Sequence, residues 1–172
     1  MTQIVRLACI GLVACFCLWS ASSQTEGQDK DKPAEYLPKT LKLSTGGALG
    51  ARQVTVECNG KELQYKVTNI ATDKSTTKTV TPSDAQWKKF WSSMDDAKVW
   101  QWKAKYDNPD LLDGAYWILE IEHSDKKVKS VGKNSYPSDD DVAKPTQKAI
   151  PSKVFKRFQK ALETLLGFEL EL

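Results

Sequence analysis

Between positions 87 and 117 the chain reads WKKFWSSMDDAKVWQWKAKYDNPDLLDGAYW, a stretch that holds five of the protein's six tryptophans. Tryptophan buries a large apolar surface, so such a cluster is either a core or an aromatic binding surface. The first part of the stretch has helical spacing, because its apolar residues recur at i, i+3, i+4 and i+7. These residues are Trp87, Phe90, Trp91 and Met94.

The spacing then changes from helical to alternating. One face of the predicted strand carries Trp100, Trp102, Ala104 and Tyr106. This change predicts that the aromatic rings form a core between a helix and a sheet. Two large rings on one short strand are hard to cover fully, so Trp100 and Trp102 are the predicted candidates for partial exposure and for ligand binding.

Further strands are predicted on both sides of the aromatic stretch. A short strand Thr40–Ser44 leads into the glycine loop Gly46–Gly50. Two alternating runs flank Asn59-Gly60, a strong signal for a hairpin turn, and a threonine-rich run over 75–81 is a candidate edge strand. After the aromatic stretch, alternation over 117–123 and a less regular run over 127–133 predict two more strands.

Two helices complete the predicted fold. Thr81 as N-cap and Pro82 as first helical residue open the first helix, and Ser152 or a neighbour opens the second, which Gly167 ends. The predicted inner face of the second helix carries Phe155, Phe158, Leu162 and Leu165 or Leu166. The order is ββ(β)–α–βββ–α, which predicts a single α+β domain over residues 39–172. Its antiparallel sheet would have five to seven strands and both helices on one face.

The first 23 residues are typical of an export signal peptide. Arg6 precedes the 13-residue apolar run Leu7–Trp19, which is shorter than the roughly 20 residues that span a bilayer. Small residues then predict cleavage before Gln24, which would release the protein to the periplasm or the extracellular space. Two alternatives stay open: an uncleaved anchor, and a lipoprotein acylated at Cys15, which would tether the protein to a membrane. Residues 24–38 are polar and predict a disordered linker.

The mature composition excludes several classes of protein. Cleavage would remove three of the four cysteines and leave Cys58, so an internal disulfide or a cysteine-rich zinc site is excluded. We interpret Cys58 as a small apolar residue at a strand end. Loss of Arg6 leaves 24 basic and 22 acidic residues, a net charge of +2. The lysines are interspersed with acids, unlike the clustered basic face of a nucleic-acid-binding protein.

Three sets of residues are candidates for catalysis or cofactor binding. His123 is followed by Ser124 and Asp125, but neighbouring strand residues point apart and cannot form a catalytic relay. Glu120 and Glu122 would be about 7 Å apart at Cα on one strand face, and we expect that face to point to solvent, which disfavours a glycoside hydrolase. The glycine loop lacks the Gly-Lys-Ser/Thr ending of a phosphate-binding loop. The sequence therefore predicts no catalytic site and no cofactor.

Three aspartates suggest calcium in the loop that precedes the last tryptophan. Asp107, Asp110 and Asp113 could supply carboxylates, but an EF-hand spacing would place Pro109 and Leu111 at ligand positions, so that motif fails. A different calcium loop and a solvated turn both stay open, and we expect no metal site. The three aspartates remain candidate binding residues.

Several short motifs resemble those of small exported bacterial α+β domains of the emfourin type. The motifs are Gly46-Gly47-Ala48-Leu49-Gly50-Ala51-Arg52, Val54-Thr55-Val56, the Trp87 helix, Asp113-Gly114-Ala115-Tyr116-Trp117 and the closing helix 155–166. The resemblance covers about residues 40–166. It implies a non-catalytic domain that inhibits thermolysin-like metalloproteases, although no inhibitory residue of that family maps onto a matching position.

The sequence predicts an exported, non-enzymatic binding domain. Its expected partner is a protein or another macromolecule of the cell envelope, contacted through the loops Gly46–Gly50 or Asp107–Gly114. Two alternatives are a protease inhibitor of the emfourin type and a carbohydrate-associated protein that uses exposed tryptophans. No nucleic acid is expected as a partner, and a membrane only if Cys15 is acylated.

Overall fold

The computed structural model describes residues 35–47, 52–111 and 114–170. The chain divides into two compact units, Met1–Asp31 and Lys32–Leu172, and every described residue belongs to the second. The predicted signal peptide, its Cys15 and most of the predicted linker lie outside the described residues. The elements in chain order are β1 Thr40–Gly47, β2 Arg52–Asn59, β3 Glu62–Asn69, β4 Lys74–Val80, α1 Asp84–Asp96, β5 Lys105–Asp107, β6 Ala115–His123, β7 Lys126–Lys133 and α2 Lys153–Leu166.

The domain is α+β, as predicted. Seven strands form one sheet in the order β4-β3-β2-β1-β6-β7-β5. Four strands precede α1, because Thr40–Gly47 and Lys74–Val80 are both full strands. The prediction of an antiparallel sheet is wrong at one edge, since β5 pairs parallel to β7. The sheet is therefore mixed.

One face of the sheet is buried and the other is not. Alternate residues of each central strand enter the core, as the pairing of Leu43 with Val56 and with Leu119 illustrates. All three side chains are at most 2% exposed. We call the buried face the inner face and the opposite one the outer face. The inner face of the central strands and β7 carries Leu41, Leu43, Val54, Val56, Leu63, Tyr65, Trp117, Leu119, Ile121 and Val128.

Helix α1 begins two residues later than predicted, with Ser83 rather than Thr81 as its N-cap. The Ser83 hydroxyl accepts a hydrogen bond from the Gln86 backbone N–H, and the Gln86 side chain accepts one from the Ser83 N–H. This reciprocal capping box satisfies two N–H groups that a helix start otherwise leaves unpaired. Pro82 therefore precedes the cap. The predicted apolar stripe is confirmed, because Trp87, Phe90, Trp91 and Met94 are all buried.

The strand predicted over 100–106 is mostly absent. Lys98 adopts a left-handed conformation with φ 51°, and a single 3-10 turn follows over Val99–Gln101. Only Lys105–Asp107 is extended and paired. The alternating pattern does not indicate a strand here, because a 3-10 turn and the extended residues after it bury Val99, Trp102 and Tyr106 at irregular spacing.

Helix α2 matches its predicted ends. The Ser152 hydroxyl accepts a hydrogen bond from the Phe155 N–H, and Gly167 ends the helix with φ 80°, a conformation that favours glycine. Its buried face carries Val154, Phe155, Phe158, Ala161, Leu162, Leu165 and Leu166. The prediction of either Leu165 or Leu166 is resolved, because both are buried.

Trp117 joins the sheet to α2 and to the long loop after β7. Its indole N–H donates to the Ser135 carbonyl at 2.9 Å, and its ring lies against Phe155 and Tyr136. Gly132 is its cross-strand neighbour, where a Cβ atom would lie 2.0 Å from the indole nitrogen. Only glycine leaves room for the ring there.

The described residues begin at Glu35, before the predicted domain boundary at Lys39. Tyr36 and Leu37 are half-buried and pack against the core, and the Trp91 indole donates to the Tyr36 carbonyl at 2.8 Å. An apolar pair within the predicted linker thus packs against the core. Neither helix in the described part of the chain has the length and apolar character to cross a membrane.

Two buried indoles allow a matched test of the core. Trp117 donates a hydrogen bond, whereas the buried Trp87 N–H has no partner among the described residues. Both Trp117→Phe and Trp87→Phe lose ring volume, but only the first leaves a buried carbonyl without its donor. We expect Trp117→Phe to lower the free energy of unfolding by about 1–2 kcal/mol more than Trp87→Phe. Urea unfolding of the two variants measures the difference, and equal losses would contradict the assignment.

Candidate binding surface

The outer face of the sheet carries a row of alternating charges. Glu57, Lys42, Glu120 and Lys129 lie opposite one another across β2, β1, β6 and β7. Lys42 pairs with Glu57 at 3.4 Å and Lys129 with Glu120 at 3.7 Å. We call these four residues the charge ladder. Its side chains are about half exposed, so the ladder forms a solvated surface of balanced charge.

The two acids considered for glycoside hydrolysis belong to this outer face. Glu120 is part of the ladder, and Glu122 pairs with Lys39 at 3.0 Å. A cleft of about 500 Å³ adjoins both acids. Each carboxylate thus has a lysine partner, as expected for surface residues, and neither is isolated in an apolar pocket as a general acid would be.

An apolar patch interrupts the polar outer face near the N-terminal end of β6, away from Glu122. Ile118 is 43% exposed and lies directly opposite Val131 of β7. Tyr116, two residues earlier on the same face, lies over Gly46, where a Cβ atom would be 2.8 Å from its hydroxyl oxygen. An aromatic ring commonly covers a glycine of the neighbouring strand in this way. We call Tyr116, Ile118 and Val131 the Tyr116 patch.

The two predicted binding loops leave the sheet side by side at this end. Gly47 of β1 lies opposite Ala115 of β6. Gly47 has φ 124°, and a Cβ atom there would lie 2.2 Å from the Gly114 carbonyl. The glycines therefore allow close approach of the two backbones rather than phosphate binding. Residues 48–51 and 112–113, including Asp113, lie outside the described residues.

The two tryptophans proposed as recognition residues have different surroundings. Trp100 is half-buried, and its indole N–H donates to Asp95 at 2.6 Å. Lys126 donates to the same carboxylate at 2.8 Å. The hydrogen bond from Lys126, followed by that from Trp100, keeps the pKa of Asp95 below its usual value.

Trp102 is buried, so its assignment as an exposed binding residue is wrong. It is only 6% exposed, and its ring lies against Phe155 and Phe158. Its indole N–H donates to the Ala97 carbonyl. The turn over 99–101 separates the two rings, so that Trp102 enters the core while Trp100 stays half-buried.

Asn108 makes the hydrogen bonds that hold the start of the loop between β5 and β6. The buried Asn108 amide donates to the Gln147 carbonyl at 2.9 Å, and its oxygen accepts from the Asp110 N–H. Asp107 is exposed and pairs with Lys105 at 2.9 Å, and this hydrogen bond lowers its pKa. Among the described residues no group of three or more His, Cys, Asp or Glu side chains forms a metal site.

His123 contacts an aromatic side chain rather than a catalytic partner. Its ring stacks on Trp91, with centroids 3.9 Å apart and planes 5° apart. Its buried Nδ1 has no hydrogen-bond partner in the part of the chain that the structure describes. Burial is the main reason that the pKa of His123 lies below 6.5. The histidine is a packing residue that resists protonation.

Cys58 is also unsuited to catalysis. Its half-buried thiol donates to the Gly60 carbonyl, and burial raises its pKa to about 11. The thiol stays protonated at neutral pH, whereas the nucleophile of a cysteine enzyme is the thiolate. This agrees with its interpretation as a small residue at a strand end.

Comparison with known proteins assigns no family. Neither the protein-family models nor the curated protein sequences match the chain.

Sequence reasoning missed the Tyr116 patch, although one signal was present. Ile118 shares a strand face with Glu120 and Glu122, so its position on an expected solvent-facing surface was known. A large apolar residue on such a face often marks an interaction surface. Its neighbour Val131 could not be identified without the register of β6 and β7.

The His123 geometry predicts how stability depends on pH. Its depressed pKa means that the unfolded chain binds a proton more readily. The stabilisation is therefore complete above about pH 6.5 and is lost as the pH falls from 6.5 through the folded-state pKa. We expect the urea concentration at the unfolding midpoint to decrease when the pH is lowered from about 8 to about 5.5. His123→Phe can stack on Trp91 without titrating, so it should show a smaller fall, and an equal fall would contradict this role.

Proposed function

We propose that this protein is an exported, non-enzymatic domain that binds a protein partner. Binding would use the Tyr116 patch and the two loops beside it. The observation that carries the proposal is an exposed apolar patch on an otherwise charged sheet face, next to two adjoining loop ends. The expectation that Asp107 and Asp110 contribute to binding is kept, since they belong to one of these loops.

The composition of the surface favours a protein partner. Ile118 and Tyr116 provide an apolar centre, and the charge ladder lies farther along the same face. Protein interfaces commonly have an apolar, aromatic centre that excludes water and a polar rim that sets orientation. Because the ladder alternates in sign, its contribution would be to specificity rather than to general attraction for a charged polymer.

We infer that both helices cover the inner face, which leaves the outer face free for binding. Trp91 of α1 stacks on His123, and Phe155 of α2 lies against Trp117. His123 and Trp117 are six residues apart on β6 and so project from the same face of that strand. Each helix thus contacts the side of the sheet opposite the Tyr116 patch.

The described chain enters the sheet away from the Tyr116 patch. The described chain begins at Glu35 and enters the sheet at Thr40, whereas the Tyr116 patch lies beside Gly46. These two ends of β1 are about 20 Å apart. An exported chain would present this patch to proteins outside the cytoplasm. We propose that the partner is itself an exported or surface protein.

A protease inhibitor of the emfourin type remains a second candidate. The adjoining ends of the loops after Gly47 and before Gly114 support it, because inhibitors present loops from a rigid scaffold. A carbohydrate-associated role has less support. Of the five tryptophans in the described residues only Trp100 is more than slightly exposed, and its indole N–H is already bonded to Asp95.

The proposal is tested by placing a charge at the centre of the patch. Ile118→Lys should abolish capture of an exported protein by the immobilised domain, because it buries an unpaired charge in the interface. Ser92→Lys, an exposed substitution on α1, is the matched control and should leave capture unchanged.

Two results would contradict the proposal. One is capture that survives Ile118→Lys. The other is the absence of any specific partner among the exported proteins of the producing cell. The inhibitor candidate is tested in parallel by titrating the domain against a thermolysin-like metalloprotease, and unchanged protease activity would exclude it.

A further inference from the structure

We propose that the free edge of β4 binds an extended acidic segment of another protein by adding it to the sheet as an eighth strand. This site is separate from the Tyr116 patch. Strands β3, β2 and β1 lie between β4 and β6, a distance of about 19 Å at the usual strand spacing. The inference therefore does not depend on the function proposed above.

The edge of β4 is long, regular and uncovered by the described residues. All seven residues from Lys74 to Val80 pair in continuous register with β3, without a bulge. Every residue from Lys74 to Thr79 is exposed. Alternate residues of such a strand direct their backbone N–H and C=O groups away from the sheet, where another strand can bond to them.

The composition of β4 suits strand addition. The segment reads KSTTKTV and is rich in β-branched residues, which favour extended structure. It contains neither the proline nor the glycine with which proteins interrupt a free edge. Asp73, with φ 53°, precedes the strand and Pro82 follows its end, so the extended region is clearly bounded.

Two lysines define the chemistry of the partner. Lys78 lies opposite Tyr65 and Lys74 opposite Asn69, so both project from the inner face of the edge, four residues apart. The Lys78 ammonium is held 4.6 Å from the centre of the Phe168 ring. No carboxylate of the described chain forms an ion pair with either lysine. A strand with acidic residues four apart would place one opposite each lysine.

The same lysines disfavour pairing with a second copy of this chain. A two-fold pairing centred on Thr77 would bring four lysines onto one face in neighbouring positions, and a shift by two residues could place Lys74 directly opposite Lys78. Like charges in such positions destabilise strand pairs. The lysines thus protect the edge against self-association and select an acidic partner.

The test uses a seven-residue peptide, Val-Thr-Glu-Thr-Val-Thr-Glu, with glutamates at the positions that would face Lys78 and Lys74. Its controls are the same peptide with lysine in place of both glutamates, and the glutamate peptide with alternate backbone amides methylated. Chemical shifts of the isotope-labelled domain report binding at each amide. We expect the glutamate peptide to shift the amides of Lys74–Val80 and to bind about ten-fold or more tightly than either control.

Two protein variants complete the test. Lys74→Glu with Lys78→Glu should reverse the preference toward the lysine peptide. Lys61→Glu with Lys153→Glu changes the net charge equally at exposed positions outside β4 and should leave the preference unchanged. The proposal is overturned if the methylated peptide binds as well as the glutamate peptide, if both double variants behave alike, or if the domain alone is a dimer paired through β4.

Discussion

The fold depends on the position of one indole. Trp117 lies on β6, an interior strand of the sheet, directly over Gly132, and donates its N–H to the Ser135 carbonyl. Its ring also contacts Trp102, Tyr106, Tyr136 and Phe155, which belong to four different parts of the chain. A single fully buried side chain thus fixes the packing of α2, the path of the chain before β6 and the loop after β7. Such a ring tolerates little change in its neighbours, because protein interiors are close-packed.

The loop after β7 shows how far this constraint extends. Ser135 accepts from Trp117 through its carbonyl and donates its hydroxyl to the Thr146 carbonyl at 2.9 Å. Tyr106, buried beneath the loop, donates to the Val142 carbonyl, and burial raises its pKa. A segment without regular secondary structure is therefore held by buried side chains that donate to its backbone. This arrangement satisfies the polar groups that such a segment would otherwise bury unpaired.

The sequence was informative where a residue's role depends on its near neighbours. The stripe of α1, the cap and end of α2 and the hairpin at Gly60 all follow from local spacing, and each is present. The errors have non-local causes. Trp100 and Trp102 are two residues apart and would share one face of a strand. Instead, a left-handed Lys98 and a 3-10 turn place the Trp102 ring in the core and leave the Trp100 ring half-exposed. The Tyr116 patch likewise depends on strand register, because Ile118 meets Val131 only through the pairing of β6 and β7.

The aromatic block therefore accounts for stability, and the proposed functions lie on surfaces that it leaves free. Acrylamide quenching of tryptophan fluorescence tests this division most directly, in protein that begins at Gln24 and so lacks Trp19. The account predicts that one of the five remaining tryptophans is readily quenched, and that Trp100→Phe removes this accessible component while the other four stay protected. Any readily quenched tryptophan in the folded Trp100→Phe variant would contradict it.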